Sequence, residues 1–183
     1  MGLIISVVSL LVSLTVAWLT LFRRGTLRMT PPVLLAFLFE GEKPKIFLRT
    51  LLYSTGKRGY VIEGLYLKVR QQDGTHTFGF WMYGQRNDLI VAGGLRVPED
   101  GIAFNHHFLK INESGWFPEG DYEIELYARI ANRSAAKLLS TIHVKLSKSE
   151  ATSLHVDRKG ILFTWNPDTK VYQPSLQDKP FLP

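Results

Sequence analysis

His106 and His107 are the densest pairing of residues with side chains suited to metal or proton chemistry. Neighbours on a strand point to opposite faces, so the two imidazoles do not grip one ion together. His76, His143 and His155 stand alone in sequence, and no HExxH spacing occurs. Ser54-Thr55-Gly56-Lys57-Arg58-Gly59 has the composition of a phosphate loop. It lacks the leading glycine, places Arg where Ser or Thr would hold magnesium, and precedes no helix, so it reads as a strand-connecting turn. Glu119, Asp121, Glu123 and Glu125 bring carboxylates close enough for acid-base work. Glu123 and Glu125, however, share the polar face of an alternating strand, the ordinary place for solvated charge. There is no cysteine, which removes thiol nucleophiles, disulfides and thiolate zinc sites. The expectation is a chain without catalytic residues, metal, cofactor or small-molecule substrate. A second kind of chemistry is adhesive: Trp81 and Tyr83 alternate against Phe78, Phe80 and Met82, and Trp116-Phe117 precede Pro118 in a loop. Aromatic anchors dominate interface energetics, so these four residues form a candidate contact surface.

The element ahead of all these residues is charge-free from Gly2 to Phe22, about 31 Å if helical. That length predicts a retained transmembrane anchor over 1–24, since the bulky end Trp18, Leu19, Leu21, Phe22 offers no small-x-small cleavage site. Arg23, Arg24 and Arg28 follow the run, which predicts a single-pass membrane protein with its amino terminus outside and its folded domain cytoplasmic. Trp18, Arg23, Arg24 and Arg28 are then candidates for lipid headgroup contact. Gly2, Ser6, Ser9, Ser13, Ala17 and Thr20 fall on one stripe of the helix, a candidate packing face for another helix. The partners this implies are membrane lipid and another membrane or membrane-proximal protein. The net charge of +6, from 22 basic and 16 acidic residues, is scattered, which argues against nucleic acid.

The 183 residues leave room for one further domain. A linker over 25–32 carries Pro31-Pro32. Alternating and β-rich runs then follow over 33–39, 45–54, 60–70, 76–83, 104–111, 121–130 and 138–146, with Asp73-Gly74 as a hairpin turn. Ser147-Lys148-Ser149-Glu150 is a capping box that predicts a helix over Lys148 to His155. A hairpin should then pair 161–165 with 170–173 across Asn166-Pro167-Asp168-Thr169, so that 147–173 packs on the strands and 174–183 is a loose tail. Short strands without a long amphipathic helix predict an all-β antiparallel sandwich over 33–146. Pro118-Glu119-Gly120-Asp121-Tyr122, ahead of the cleanest strand, resembles the tyrosine corner of immunoglobulin-like domains, although the Cys, Trp, Cys pattern is missing. The resemblance implies a binding or structural scaffold, hence a non-enzymatic interaction or assembly module. An exported, membrane-tethered ligand-binding domain is the alternative.

Overall fold

A computed structural model describes residues 2–19, 25–85, 88–110 and 116–178. Helix α1 (Gly2–Ala17) leads into β1 (Leu27–Met29), β2 (Leu34–Glu40), β3 (Lys43–Ser54), β4 (Tyr60–Gln71), β5 (Gly74–Gln85), β6 (Asp88–Val91), β7 (Leu95–Val97), β8 (Ile102–Lys110), β9 (Gly120–Ile130) and β10 (Lys137–Leu146). Helix α2 (Lys148–His155) and the hairpin β11 (Gly160–Asn166) with β12 (Val171–Gln177) complete the chain.

The all-β, antiparallel expectation holds, but the sandwich does not. All twelve strands belong to one sheet, ordered β10-β9-β4-β5-β8-β3-β2-β11-β12, with β1 on β3, β6 on β5 and β7 on β4. Its two ends, β10 and β12, come into contact, and β1 reaches β10, where Lys137 Nζ donates to the Leu27 carbonyl at 2.7 Å. The result is a near-closed barrel rather than two packed layers. The tyrosine corner itself is present, the Tyr122 hydroxyl donating to the Pro118 carbonyl. A local bond of this kind fixes the entry to one strand and leaves the closure of the sheet open, so it did not license the immunoglobulin-like reading.

Single-pass anchoring is also corrected. The sequence run reaches Phe22, but α1 is 16 residues long, about 24 Å against the roughly 20 residues a crossing needs. Among the described residues no helix is long and apolar enough to cross a membrane. The orientation argument, which assigned the domain to the cytoplasm, falls with it. Thr20, Arg23 and Arg24 lie outside the described residues.

Inward-facing residues make the core, but the pleat is interrupted three times. The ladders skip Glu63, Trp81 and Leu139, each a bulge that reverses which face the following residues use. Simple alternation therefore put Val61 inside, whereas Ile62 is buried and Val61 is 56 % exposed. The same slip at Trp81 turns Tyr83 inward, onto Phe80 and Phe104. β2 is covered on both faces, as its uninterrupted apolar run predicts, with Leu35 and Phe37 in the main core and Ala36 and Leu38 in a smaller cluster with Phe47 and Leu162.

One end of the barrel is plugged by the segment before β9. Phe117 stacks on Phe37 at 4.7 Å, and Trp116 packs edge-on against Tyr122. α2 closes over the same end with Ala151 and Leu154. Its capping box forms as the sequence implies, Ser147 Oγ accepting from the Glu150 amide while the Glu150 carboxylate accepts from the Ser147 amide. The hairpin β11–β12 also forms, adding β11 to β2. In β11 the Trp165 amide donates to Val33 on the β2 side. Residues of the other parity, Leu162 and Thr164, therefore bond to β12, and Pro174, opposite Phe163, turns its backbone nitrogen to the free edge. That is where a missing N–H costs no ladder bond.

Candidate functional site

Four places in the structure hold residues that could do more than fold. The first is α1, which buries none of its residues. Leu3 is 80 % exposed and Leu11 59 %. The proposed stripe of Gly2, Ser6, Ser9, Ser13 and Ala17 lies on it, and the hydroxyls of Ser6 and Ser13 donate back to the Gly2 and Ser9 carbonyls at 3.0 and 2.9 Å. Thr15 does the same to Leu11 at 2.8 Å, so these hydroxyls are satisfied within the helix and its outer surface is apolar. Trp18, in the π-type turn that continues α1, is exposed, and Arg28 lies on β1 at the barrel.

The second is a polar strut beside the plug. Lys110, buried at the end of β8, donates from Nζ to His76 Nδ1 at 2.8 Å, which leaves the ring proton on Nε2, facing Asp73 Oδ1 at 3.1 Å. Trp116 Nε1–H donates to Asp73 Oδ2 at 3.1 Å, and Lys110 also lies over the Trp116 ring at 4.4 Å. The Trp116 bond, backed by His76 and opposed by partial burial, holds the Asp73 carboxyl below the usual carboxylate range. The arrangement ties the β4–β5 turn, β8 and the plug together. It also explains why Trp116 and Phe117, expected on a contact surface, are buried: they fill the barrel end, and Trp116 needs Asp73 for its N–H. Of the four aromatics, only Trp81 and Tyr83 keep partial exposure. Trp81 carries the Lys45 ammonium over its ring at 4.9 Å.

Lys45 is itself buried on the outer face and meets Glu40 Oε2 at 2.8 Å. Removing the acid leaves a buried cation, so Glu40→Gln is expected to cost about 1–3 kcal/mol. Lys45→Met, which removes the charge and keeps the stem, is expected to cost less in the same urea unfolding series.

The third place is the histidine pair. His106 packs by Phe80 at 5.9 Å inside the barrel and His107 by Phe47 at 5.1 Å outside it, on opposite faces as their adjacency requires. Among the described residues none of their four ring nitrogens has a hydrogen-bond partner. Burial, then the charge of its neighbour His107, pushes His106 down to about 3; burial, then the Lys45 charge, pushes His107 down to about 4. Both are therefore neutral near pH 7, and among the described residues no group of three His, Cys, Asp or Glu could hold a metal.

The fourth is a groove of about 750 Å³ along the seam between β10 and β12, lined by Arg70, Tyr122, Glu123, His143, Lys145 and Tyr172 among others. Its charges are largely satisfied locally: Arg70 pairs with Glu123 and with Glu125 Oε2 at 3.2 Å. The loop Ser54 to Gly59 is the turn the sequence suggests, with Ser54 Oγ near the carbonyls of Gly56 and Arg58 at 2.9 and 2.8 Å.

The chain matches no family model, no curated protein and no solved structure. Neither the immunoglobulin-like resemblance nor any other kinship is supported by comparison, so function must be argued from the sites themselves.

Proposed function

We propose that the chain is a non-enzymatic assembly module whose barrel is carried into a homo-oligomer by α1. The observation behind this is that a charge-free helix, apolar all round, buries none of its residues in its own chain. A helix of that composition is stable when apolar surroundings enclose it. It presents no charge by which to select a polar partner, whereas the stripe Gly2, Ser6, Ser9, Ser13 and Ala17 is self-complementary across a two-fold axis and allows close approach of backbones.

Because the chain has no cysteine, Ser9→Cys supplies a single thiol on the stripe and Leu11→Cys one about 200° around the helix. Oxidative cross-linking should give covalent dimer several-fold more from Ser9→Cys, and sedimentation velocity should show an oligomer that Leu10→Glu with Leu14→Glu dissolves into folded monomer. A monomeric full chain at about 100 μM, or equal cross-linking from both positions, would remove the proposal.

A further inference from the structure

The loops that join β3 to β4, β7 to β8 and β9 to β10 gather at the barrel end opposite the plug, around the point where the chain arrives from α1. A recess of about 490 Å³ opens there, walled by Arg58, Tyr60, Val61, Ile130, Asn132 and Arg133, with no carboxylate among its lining residues. Local bonding fixes its shape. The Tyr60 hydroxyl donates to the Gly25 carbonyl, the Ala131 amide to the Val61 carbonyl at 2.9 Å and the Arg133 amide to the Ile130 carbonyl at 3.1 Å. Asn132 takes a positive φ of 62, and the tight turn this allows brings Arg133 back over the Tyr60 ring at 5.8 Å. Positive charge converges on this place. Burial, followed by the charges of Arg133 and Arg28, holds the Lys137 ammonium below the usual lysine range. Among the described residues none of Arg28, Arg58, Arg133 and Lys137 forms an ion pair. Like charges gathered without a counter-charge oppose the compact state, and an anionic ligand offsets that repulsion.

We infer that this recess takes the carboxylates of an acidic peptide segment from a partner protein. Its volume falls in the range of about 300–1,000 Å³ typical of binding pockets, and a lone small anion would leave most of it empty. The cations stand on separate elements, Arg28 on β1, Arg58 on the β3–β4 loop and Arg133 on the β9–β10 loop, which suits negative groups spaced along a chain. Arg58 and Arg133 present guanidinium forks that match carboxylates, and exposed Val61 offers the methylenes of a glutamate an apolar floor. A nucleic acid fits less well. Tyr60 is the one aromatic in the wall, and its ring already carries Arg133, so no face is open for base stacking. Glu99 and Asp100, which share the neighbouring concavity with Lys57, repel a continuing phosphate backbone. This inference is independent of α1 packing and stands whether or not the chain assembles.

The test is fluorescence anisotropy of a short labelled oligoglutamate peptide titrated with the full chain. Saturable binding of micromolar affinity is expected at low ionic strength, weakening as salt is added. Arg58→Ser with Arg133→Ser, both exposed side chains, should weaken it about tenfold or more. Lys43→Ser with Lys148→Ser makes the same change of net charge at the plugged end and should leave it as it was. A second measurement needs no variant: in the parent chain the Val61 methyl resonances should shift on binding, and those of Val156, just past α2 at the other end, should not. Equal weakening in both double variants would reduce the effect to net charge, and tighter binding of an oligothymidylate strand of equal charge would make the partner a nucleic acid. Either result, a shift at Val156 without one at Val61, or no saturable binding would overturn the inference.

Discussion

Between about pH 7 and pH 5 the chain is expected to lose about 4 kcal/mol of unfolding free energy, about 2 from each of His106 and His107. The sign follows from where the protons go. Both residues are neutral in the folded state down to about pH 4 for His107 and about pH 3 for His106, while the unfolded chain protonates them near the ordinary value of 6.5. In that interval the unfolded state binds more protons, so stability is full above about pH 6.5 and falls as pH drops toward the folded values. Chemical denaturation at a series of pH values above 5, before carboxylates enter, reads the slope directly. The double variant His106→Leu with His107→Leu should flatten it. At pH 7 that variant should be no less stable than the parent, because each imidazole buries ring nitrogens with no partner among the described residues and leucine removes them. An unchanged slope in the double variant would locate the acid sensitivity elsewhere and undo this account of the pair.

Phe117→Ala is expected to cost about 3–5 kcal/mol, the range for truncating a large aromatic in a core. The ring is fully buried between Phe37, Phe78 and Trp116 at one end of the barrel. Its backbone gives the second and sharper half of the prediction. Phe117 lies at φ 131, a region that L residues rarely enter and that costs on the order of 1–3 kcal/mol to hold. Glycine occupies it freely, so Phe117→Gly should be at least as stable as Phe117→Ala. At an ordinary position glycine is the worse of the two by about 0.5–1 kcal/mol. Urea unfolding of the two variants decides it, and the ordinary order would show that the local backbone is not held by the stacked ring.

What the sequence made legible was local. The capping box at Ser147 and Glu150, the turn at Asn166 to Thr169, the long alternation of Tyr122, Ile124, Leu126, Ala128 and Ile130, and the opposed faces of His106 and His107 all depend on neighbours a few residues away. The barrel was not legible, because closure depends on pairings between strands far apart in the chain. The bulges at Glu63, Trp81 and Leu139 reverse the alternation without a compositional mark strong enough to read. β1 was hidden in a stretch that reads as a linker because three residues carry no period. Trp116 and Phe117 read as surface because they sit in a loop, and only the structure shows that the loop folds into the end of the barrel. α1 was readable as charge-free, but the α-helix described over Gly2–Ala17 is shorter than the charge-free run from which its extent was read.

Pro174 has a consequence for how the molecule behaves in a crowd. A sheet that nearly closes presents two selvedges, and an open selvedge is where identical chains stitch together into fibres. On β12 a proline interrupts that stitching from the chain's own side, and on β10 the ladder is already kinked at Leu139. Copies gathered through their leading helices would thus be held near one another without their barrels fusing, so that local concentration rises while each barrel keeps its own boundary.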